Sequence, residues 1–288
     1  MNPQFSIVTP CFNGRALLPR CVGSIRGQKD VTFEHLIHDG GSSDGTVEWL
    51  RTQENLAWRS KKDAGMYDAI NNGWSRARGE FLSWLNADEQ YLPGTLARVA
   101  RAFRENPQAD VVWGDTIIVD PDGNPIAARR EIPLRATYVK NGFLYALSCS
   151  YFFHRRLWDE KILPFDLSFR VAGDADLMMR LLTVRRRFVK LDAYLGLFGV
   201  DGSNLSVKQK QRMDDEGAII RQRYHAFGSV ALRKLVRAVR CVERLLAGCY
   251  RNDNPAFDFA TDEKPSYRRV TCLRVTARFS YDSALASR

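Results

Sequence analysis

The 288-residue sequence has six cysteines (Cys11, Cys21, Cys149, Cys241, Cys249, Cys272) and four histidines, with no CxxC pair and no zinc-type spacing. A zinc ribbon and a disulfide-stapled secreted scaffold are therefore excluded, and the thiols read as reduced and mostly buried, as in a cytosolic protein. No apolar run approaches the 18 or so residues that a membrane span needs. The first apolar stretch is preceded by no basic leader or cleavage site, which points away from export. No internal repeat is found, and the composition excludes disorder, collagen and coiled coil.

What is present is an ordinary globular mixture: 45% hydrophobic, 26% charged and 11% aromatic, enough for a large core. The net charge of +10 is unevenly placed. Residues 1–204 are close to neutral at +2, whereas residues 205–288 carry +8. Between positions 221 and 251 eight basic residues face a single acid, Glu243.

Along the chain, apolar periodicity predicts strands at residues 5–9, 34–38 and 80–85, separated by helices at 14–26, 46–53 and 66–77. Such alternation implies an α/β domain with a mostly parallel sheet flanked by helices. Further strands are expected at 110–119 and 151–154, and helices from about 156 and at 174–182. From residue 208 the pattern is helical with breaks at Gly217 and Gly228, and from residue 252 it turns polar and irregular. The expected units are a catalytic domain at 1–205, a basic amphipathic helical extension at 206–251 and an irregular tail at 252–288.

In a parallel sheet ligands sit at the carboxyl ends of the strands. Three polar loops leave those ends: residues 10–13, the Asp39 turn, and residues 86–89. Asp88 is placed to hold a divalent cation against a diphosphate, with Glu89 either assisting or facing solvent. Asp39 is suited to read a base. A general base for an acceptor hydroxyl comes from Asp174 or Asp176, which lie on different sides of a helix. Arg180, four residues after Asp176, forms a surface ion-pair pattern with it, so Asp174 is favoured. Each residue also has a plainer reading: Asp39, Asp63, Asp68 and Asp88 as turn or helix caps, Asp174 as an acid favoured by a helix dipole, His154 and Trp158 as packing residues.

Four segments occur in order: Phe5-Ser-Ile-Val-Thr-Pro-Cys-Phe-Asn13, Asp39-Gly-Gly-Ser-Ser-Asp-Gly-Thr46, Asp63-Ala-Gly-Met-Tyr-Asp-Ala-Ile-Asn-Asn-Gly73, and Trp84-Leu-Asn-Ala-Asp-Glu89 with Pro93-Gly94. Together they resemble the family 2 glycosyltransferases of the GT-A fold, over residues 4–205. The resemblance implies inverting transfer of a sugar from a nucleotide-sugar, a UDP-sugar foremost, to a hydroxyl acceptor, with Mg or Mn as cofactor. It places Pro10, Cys11, Phe12, Asn13, Asp39 and Asp63 around the nucleotide. Asn86 and Ala87 open the DxD-type motif, Asp88 is the metal ligand and Asp174 the catalytic base. Two positions depart from the family pattern: Asn86 brings no charge to the first place of the DxD-type motif, and Gly173 stands where many relatives have Glu. Two other readings are a metal-dependent nucleotidyltransferase, whose glycine- and arginine-rich phosphate loop is missing here, and an inactive basic binding protein on the same fold.

Residues 232–246 form an amphipathic helix, with Leu232, Leu235, Val236, Val239, Val242, Leu245 and Leu246 at helical spacing and Arg233, Arg237, Arg240 and Arg244 opposite. One expectation is a helix packed on the catalytic domain with its arginines solvated. The other is a peripheral contact, through those four arginines, with the anionic inner face of a plasma membrane carrying a lipid-linked acceptor in polysaccharide or glycolipid assembly. Nucleic acid is not expected, because no aromatic residues interleave the charges.

Overall fold

The computed structural model describes residues 2–273 and 276, apart from 55, 143, 203, 252 and 253. The chain opens with β1 (Phe5–Cys11), α1 (Leu18–Arg26), β2 (Phe33–Asp39), α2 (Thr46–Arg51), β3 (Ala57–Ser60), α3 (Met66–Trp74) and β4 (Phe81–Trp84). It continues with β5 (Gln90–Tyr91), α4 (Thr95–Glu105), β6 (Val111–Val119), β7 (Pro125–Arg129), α5 (Ala136–Lys140), β8 (Tyr151–His154) and α6 (Arg156–Asp159). Then follow α7 (Gly173–Thr183), β9 (Phe188–Gly199), α8 (Leu205–Lys208), α9 (Lys210–Arg223), α10 (Val230–Leu246), β10 (Ala256–Ala260) and β11 (Tyr267–Thr271).

All seven residues of β1 are buried, because parallel neighbours cover both of its edges and helices both of its faces. Among the described residues nine strands make one sheet, in the order β3-β2-β1-β4-β8-β6-β9-β5 with β7 on β6. Its first half, β3 to β4, is parallel as the sequence implies. The second half is mixed, because β8 runs antiparallel between β4 and β6. Helix α3 lies directly on β1: a Cβ at Gly73 would fall 2.4 Å from Val8 Cγ1, so only glycine permits this approach. Beyond α3, Trp74 stacks on Phe165 at 5.5 Å and meets Trp84 edge-on at 5.8 Å. Each such pair adds about 1 kcal/mol to the burial itself.

The C-terminal part departs from expectation in three ways. Gly217 does not interrupt α9. Residues 256–271 form an antiparallel hairpin rather than an irregular tail, since Phe257 and Phe259 alternate onto one face and bury against Ile117, Val119 and Leu197. Gln90 fixes this hairpin by accepting the Ala260 N–H at 2.8 Å and donating to its carbonyl at 3.1 Å.

The third departure is the orientation of α10, which is the reverse of the one expected from its periodicity. Its buried residues are Val236, Arg240 and Arg244, while Leu235, Val239, Val242 and Leu246 point outward. Leu246 is 83% exposed and Arg244 5%. The cause is Glu131, a buried carboxylate in the chain between β7 and α5: Arg240 Nη2 donates to its Oε2 at 2.9 Å, Arg244 Nε lies 3.1 Å from the same oxygen, and Arg129 binds Oε1. Arg240 also lies 4.2 Å over the Tyr145 ring. Glu243, half-buried, accepts from Tyr138 and Arg135 of the same region. A buried charge without partners costs several kcal/mol, and Arg240 and Arg244 supply the partners from one side of the helix, so that side goes inward. The expectation that Arg240 and Arg244 meet a membrane is thereby overturned; Arg233 is tied to the carbonyls of Phe227 and Gly228, and of the four only Arg237 is fully exposed. Replacing Glu131 with Gln should lower stability by about 3–5 kcal/mol, whereas Arg237→Ala should change it by less than about 0.5 kcal/mol, both read from urea unfolding midpoints.

Candidate active site

The carboxyl ends of β1, β2 and β4 lie side by side, since Cys11 is in register with Asp39 and the Leu85 N–H donates to the Val8 carbonyl at 2.9 Å. The loops that leave them are stitched together. Asn13, in the left-handed region at φ 51°, accepts the Ser43 N–H through Oδ1 at 3.0 Å, and its own N–H donates to Ser42 Oγ at 2.7 Å. Next to it the Arg15 N–H reaches Asp44 Oδ2 and the Gly14 N–H reaches Thr46 Oγ1. Pro10 and Cys11 are buried in β1, Ala87 packs into the same cluster as Cys11, and Phe12 stands 68% exposed at the loop tip. Burial, and after it the charge of Asp39, pushes the Cys11 thiol up to about 12, so it takes no part as a thiolate.

Asp39 is fully buried and organises its own loop. Its Oδ2 accepts from the N–H groups of Gly41 and Ser42, both at 3.1 Å, and from Ser60 Oγ at 2.6 Å, while Oδ1 takes the Ser42 hydroxyl. Three of those bonds crowd Oδ2, and Oδ1, with one, keeps a lone pair. Asp63 sits against Gly40, with Oδ1 accepting the Gly65 N–H at 2.8 Å and Oδ2 4.0 Å from His38 Nε2. Burial pushes Asp63 up and His38 down. Asp68 accepts the Ala64 N–H and so caps the same turn.

Asp88 follows β4 and is half-buried, and Asn204 Nδ2 donates to its Oδ2 at 3.3 Å. Glu89 does not face solvent: it is 1% exposed, accepting the Asn86 N–H at 2.9 Å and the Ser148 hydroxyl. Burial, then the charge of Asp201, pushes Asp88 up; burial, then the charge of Asp88, pushes Glu89 up. The pair therefore lacks compensating positive charge. Asn86 Oδ1 is buried beside it without a hydrogen-bond partner. One accessible carboxylate and one unpartnered amide oxygen suit a hard divalent cation that takes its remaining ligands from phosphate oxygens and water. Among the described residues no group of three His, Cys, Asp or Glu side chains makes a metal cage, so the protein's share of such a site is small.

Asp174 and Asp176 separate as the helical spacing requires. Asp176 is completely buried, held by Arg180 Nε at 3.0 Å, Arg223 Nη1 at 2.8 Å and the Tyr224 hydroxyl at 2.9 Å, so its ion pair with Arg180 belongs to the interior rather than the surface. Asp174 is half-buried in the first turn of α7, with Oδ1 accepting the Ala175 N–H at 2.8 Å. Burial pushes its carboxyl up to about 6. Tyr67, at the start of α3, donates its hydroxyl to the Val171 carbonyl at 2.8 Å and accepts the Asp174 N–H at 3.3 Å. Gly173 makes room for that ring, since a Cβ there would lie 2.6 Å from Tyr67 Cε2. Through Tyr67 the Asp174 turn joins the α3 end of the sheet edge that carries Asp39, Asp63 and Asp88. Ser60, Ser148, Asn204 and Glu216 shape this site without any local motif to announce them, each acting on a residue distant in sequence, while Ser42 and Tyr67 lie within the four segments but were assigned no role there.

The chain matches the model of glycosyl transferase family 2 over residues 6–171. It is 34% identical over 193 residues to a PGL/p-HBAD biosynthesis glycosyltransferase of Mycobacterium bovis, covering 62% of this chain and 69% of that one. The structure superposes on TarS 1-349 of S. aureus in complex with UDP, with TM-score 0.54 and 21% identity over 75% of this chain and 65% of that chain. It also superposes on the mannosyltransferase PcManGT from Pyrobaculum calidifontis in complex with GDP-Man and Mn2+, with TM-score 0.52 and 16% identity over 85% and 81% of the two chains. This chain thus spans just under two thirds of that TarS chain. The four segments, the sheet edge that gathers them and the family match over more than half of the sequence agree: the protein belongs to glycosyl transferase family 2 and is a glycosyltransferase with the GT-A fold.

Proposed function

We propose that the protein transfers a sugar, with inversion, from a UDP-sugar to a hydroxyl of a lipid-linked acceptor in surface polysaccharide or glycolipid assembly. The carrying observation is the meeting at one sheet edge of Asp88, beside the unpartnered Asn86 Oδ1, with the stitched loops of Asn13 and Asp39. UDP in the TarS complex supports the donor, and the part of the mycobacterial relative in PGL/p-HBAD biosynthesis supports the glycolipid setting. Phe12 offers its exposed ring to the base, and Asp39 and Asp63 flank it; Asp39 Oδ1, which accepts only the Ser42 hydroxyl, keeps a lone pair for the base. Asp88 and Asn86 hold Mg or Mn, which when bound offsets the charge gathering on the leaving diphosphate. Asp174 takes the proton of the acceptor hydroxyl as its oxygen bonds to the anomeric carbon and the bond to the diphosphate breaks. The products are the glycosylated acceptor and a nucleoside diphosphate; release of pyrophosphate would instead support a nucleotidyltransferase.

Transfer takes place, in this reading, at an anionic membrane surface on which α10 lies. Leu232, Leu235, Val239, Val242 and Leu246 follow spacings of three and four and stand exposed along the 17-residue helix, with exposed Lys234 and Arg237 at the margins. Among the described residues no helix is long and apolar enough to cross a membrane. A second copy is a poor occupant: a stripe about 25 Å long offers a few hundred Å², against about 800 Å² per partner in a stable dimer, and it would bring like charges together. An interfacial helix with an apolar face and cationic margins suits anionic lipid.

Three outcomes are expected. Asp174→Asn should lower kcat by at least about 100-fold, and the wild-type kcat should fall as pH drops through about 6, because a carboxyl raised by burial loses its basic form below its own pKa; an active Asp174→Asn protein removes Asp174 as the base. Asp88→Asn or treatment with EDTA should abolish release of UDP from the donor, and Mn should restore it only to the protein that keeps Asp88. Vesicles containing phosphatidylglycerol should sediment the protein, and the combined Leu235→Gln, Val239→Gln, Val242→Gln variant should bind them at least about tenfold more weakly; equal binding by the variant would dismiss α10 as the seat.

A further inference from the structure

We propose that Glu216, on α9 of the C-terminal extension, is a positioning residue for Asp174, so that the catalytic unit extends beyond the segment matched by the family model. The inference rests on the reading of Asp174 as the base. Glu216 is 5% exposed, and its carboxylate accepts three consecutive backbone N–H groups: Arg170 at 2.8 Å through Oε1, and Val171 at 2.9 Å and Ala172 at 2.8 Å through Oε2. Those amides turn the chain into α7, whose N-cap residue, Ala172, has no side chain able to cap it. A charged side chain from 44 residues away instead holds the turn that leads into the helix, and Asp174 stands two positions further on.

The hold is two-sided. Glu216 takes the N–H of Val171 while the Tyr67 hydroxyl donates to the carbonyl of the same residue and accepts the N–H of Asp174. With Gly173 bare, so that the Tyr67 ring can close on the turn, the backbone carrying Asp174 is clamped by α3 on one side and α9 on the other. A base must be held to within a fraction of an ångström of its proton donor, and misplacement by about 1 Å can cost a hundredfold in rate.

Glu216 also faces Asp174 electrostatically, and its negative charge helps to keep the Asp174 carboxyl up. Tyr67 of α3 and Tyr151 of β8 also interact with Asp174. On the far side Arg212 Nε, on an exposed side chain, is 3.5 Å from the buried Glu216 Oε1, so three amides and one arginine answer the carboxylate's charge.

Full-length Glu216→Gln and Glu216→Asp are to be compared with wild type and Asp174→Asn for kcat, donor KM, pH profile and thermal unfolding. Glu216→Gln should lose at least about tenfold in kcat at unchanged donor KM. Its acidic limb should move to lower pH, because removing a neighbouring negative charge lowers the Asp174 pKa. Glu216→Asp, which keeps the charge on a shorter arm, should lose kcat with the limb in place. Wild-type kcat in folded Glu216→Gln, or a fall in kcat with the limb unmoved, would overturn the proposal. Should Glu216→Gln fail to fold, Glu216→Asp decides: a kcat reduced at least tenfold at unchanged donor KM supports positioning, and a wild-type kcat overturns it. An active Asp174→Asn protein would sink the base reading itself, whereas inactive Asp174→Asn beside a wild-type-like Glu216→Gln sinks only the role given to Glu216.

Discussion

Burial of β1 on both faces and both edges is the constraint from which the site follows. A strand bonded to parallel neighbours on each side has its carboxyl end fixed beside theirs, and the loops that leave these ends cannot separate. The residues of those loops need only local bonds to complete the arrangement, and they have them: Asn13 to Ser42 and Ser43, Arg15 to Asp44, Asp39 to its own turn. Gly73, which lets α3 lie on Val8, brings Tyr67 and with it the Asp174 turn to the same edge.

A second regularity separates structural acids from chemical ones. Asp176 has two arginines and a tyrosine, Glu131 has three arginines, Asp115 has Lys190 at 3.1 Å, and Glu216 has three amides and Arg212. Each is a buried charge answered by cations or by several N–H groups, the condition under which burial is tolerated. Asp88 and Asp174 have no such cationic partner from the protein among the described residues; burial pushes both carboxyls up, as it does that of Asp115, so the missing cation and not the raised carboxyl sets the two apart. A carboxylate left uncompensated in a cleft invites a metal ion or a proton, which are what the two positions are proposed to receive.

The first half of the fold was legible because its signals are local. Two- and 3.6-residue periodicities over residues 5–85 gave β1, β2, β4 and the helices between them, and the polar loops after those strands named Asp39 and Asp88, while Asp174 came from the helix expected at 174–182 and the family resemblance. Short β3 and β5 offered too few residues for a period, and the hairpin at 256–271 depends on Gln90 and on apolar partners more than a hundred residues earlier. Periodicity also gave α10 as amphipathic with the right face composition, yet it carries no information about which face turns inward. That choice was made by Glu131, whose charge lies 109 positions from Arg240. Glu89 stood in a motif that left open whether it assists Asp88 or faces solvent, and Glu216 had no motif at all; only the folded chain reveals that one is buried and the other grips a turn.

The extension is consequently neither an appendix nor a flexible tether. Helix α9 is bonded into the Asp174 turn through Glu216, and α10 is bonded to the β7 to α5 connection through Arg240 and Arg244. A flexible linker would only raise the local concentration of an enzyme near a surface, leaving the direction of its cleft to chance. Multiple buried charge-assisted bonds hold direction as well as distance. Whatever lies against the apolar stripe of α10 therefore meets a domain whose orientation is already set. The inward arginines, which looked from sequence like the membrane contact itself, serve this end better by fixing the helix than they would by touching lipid.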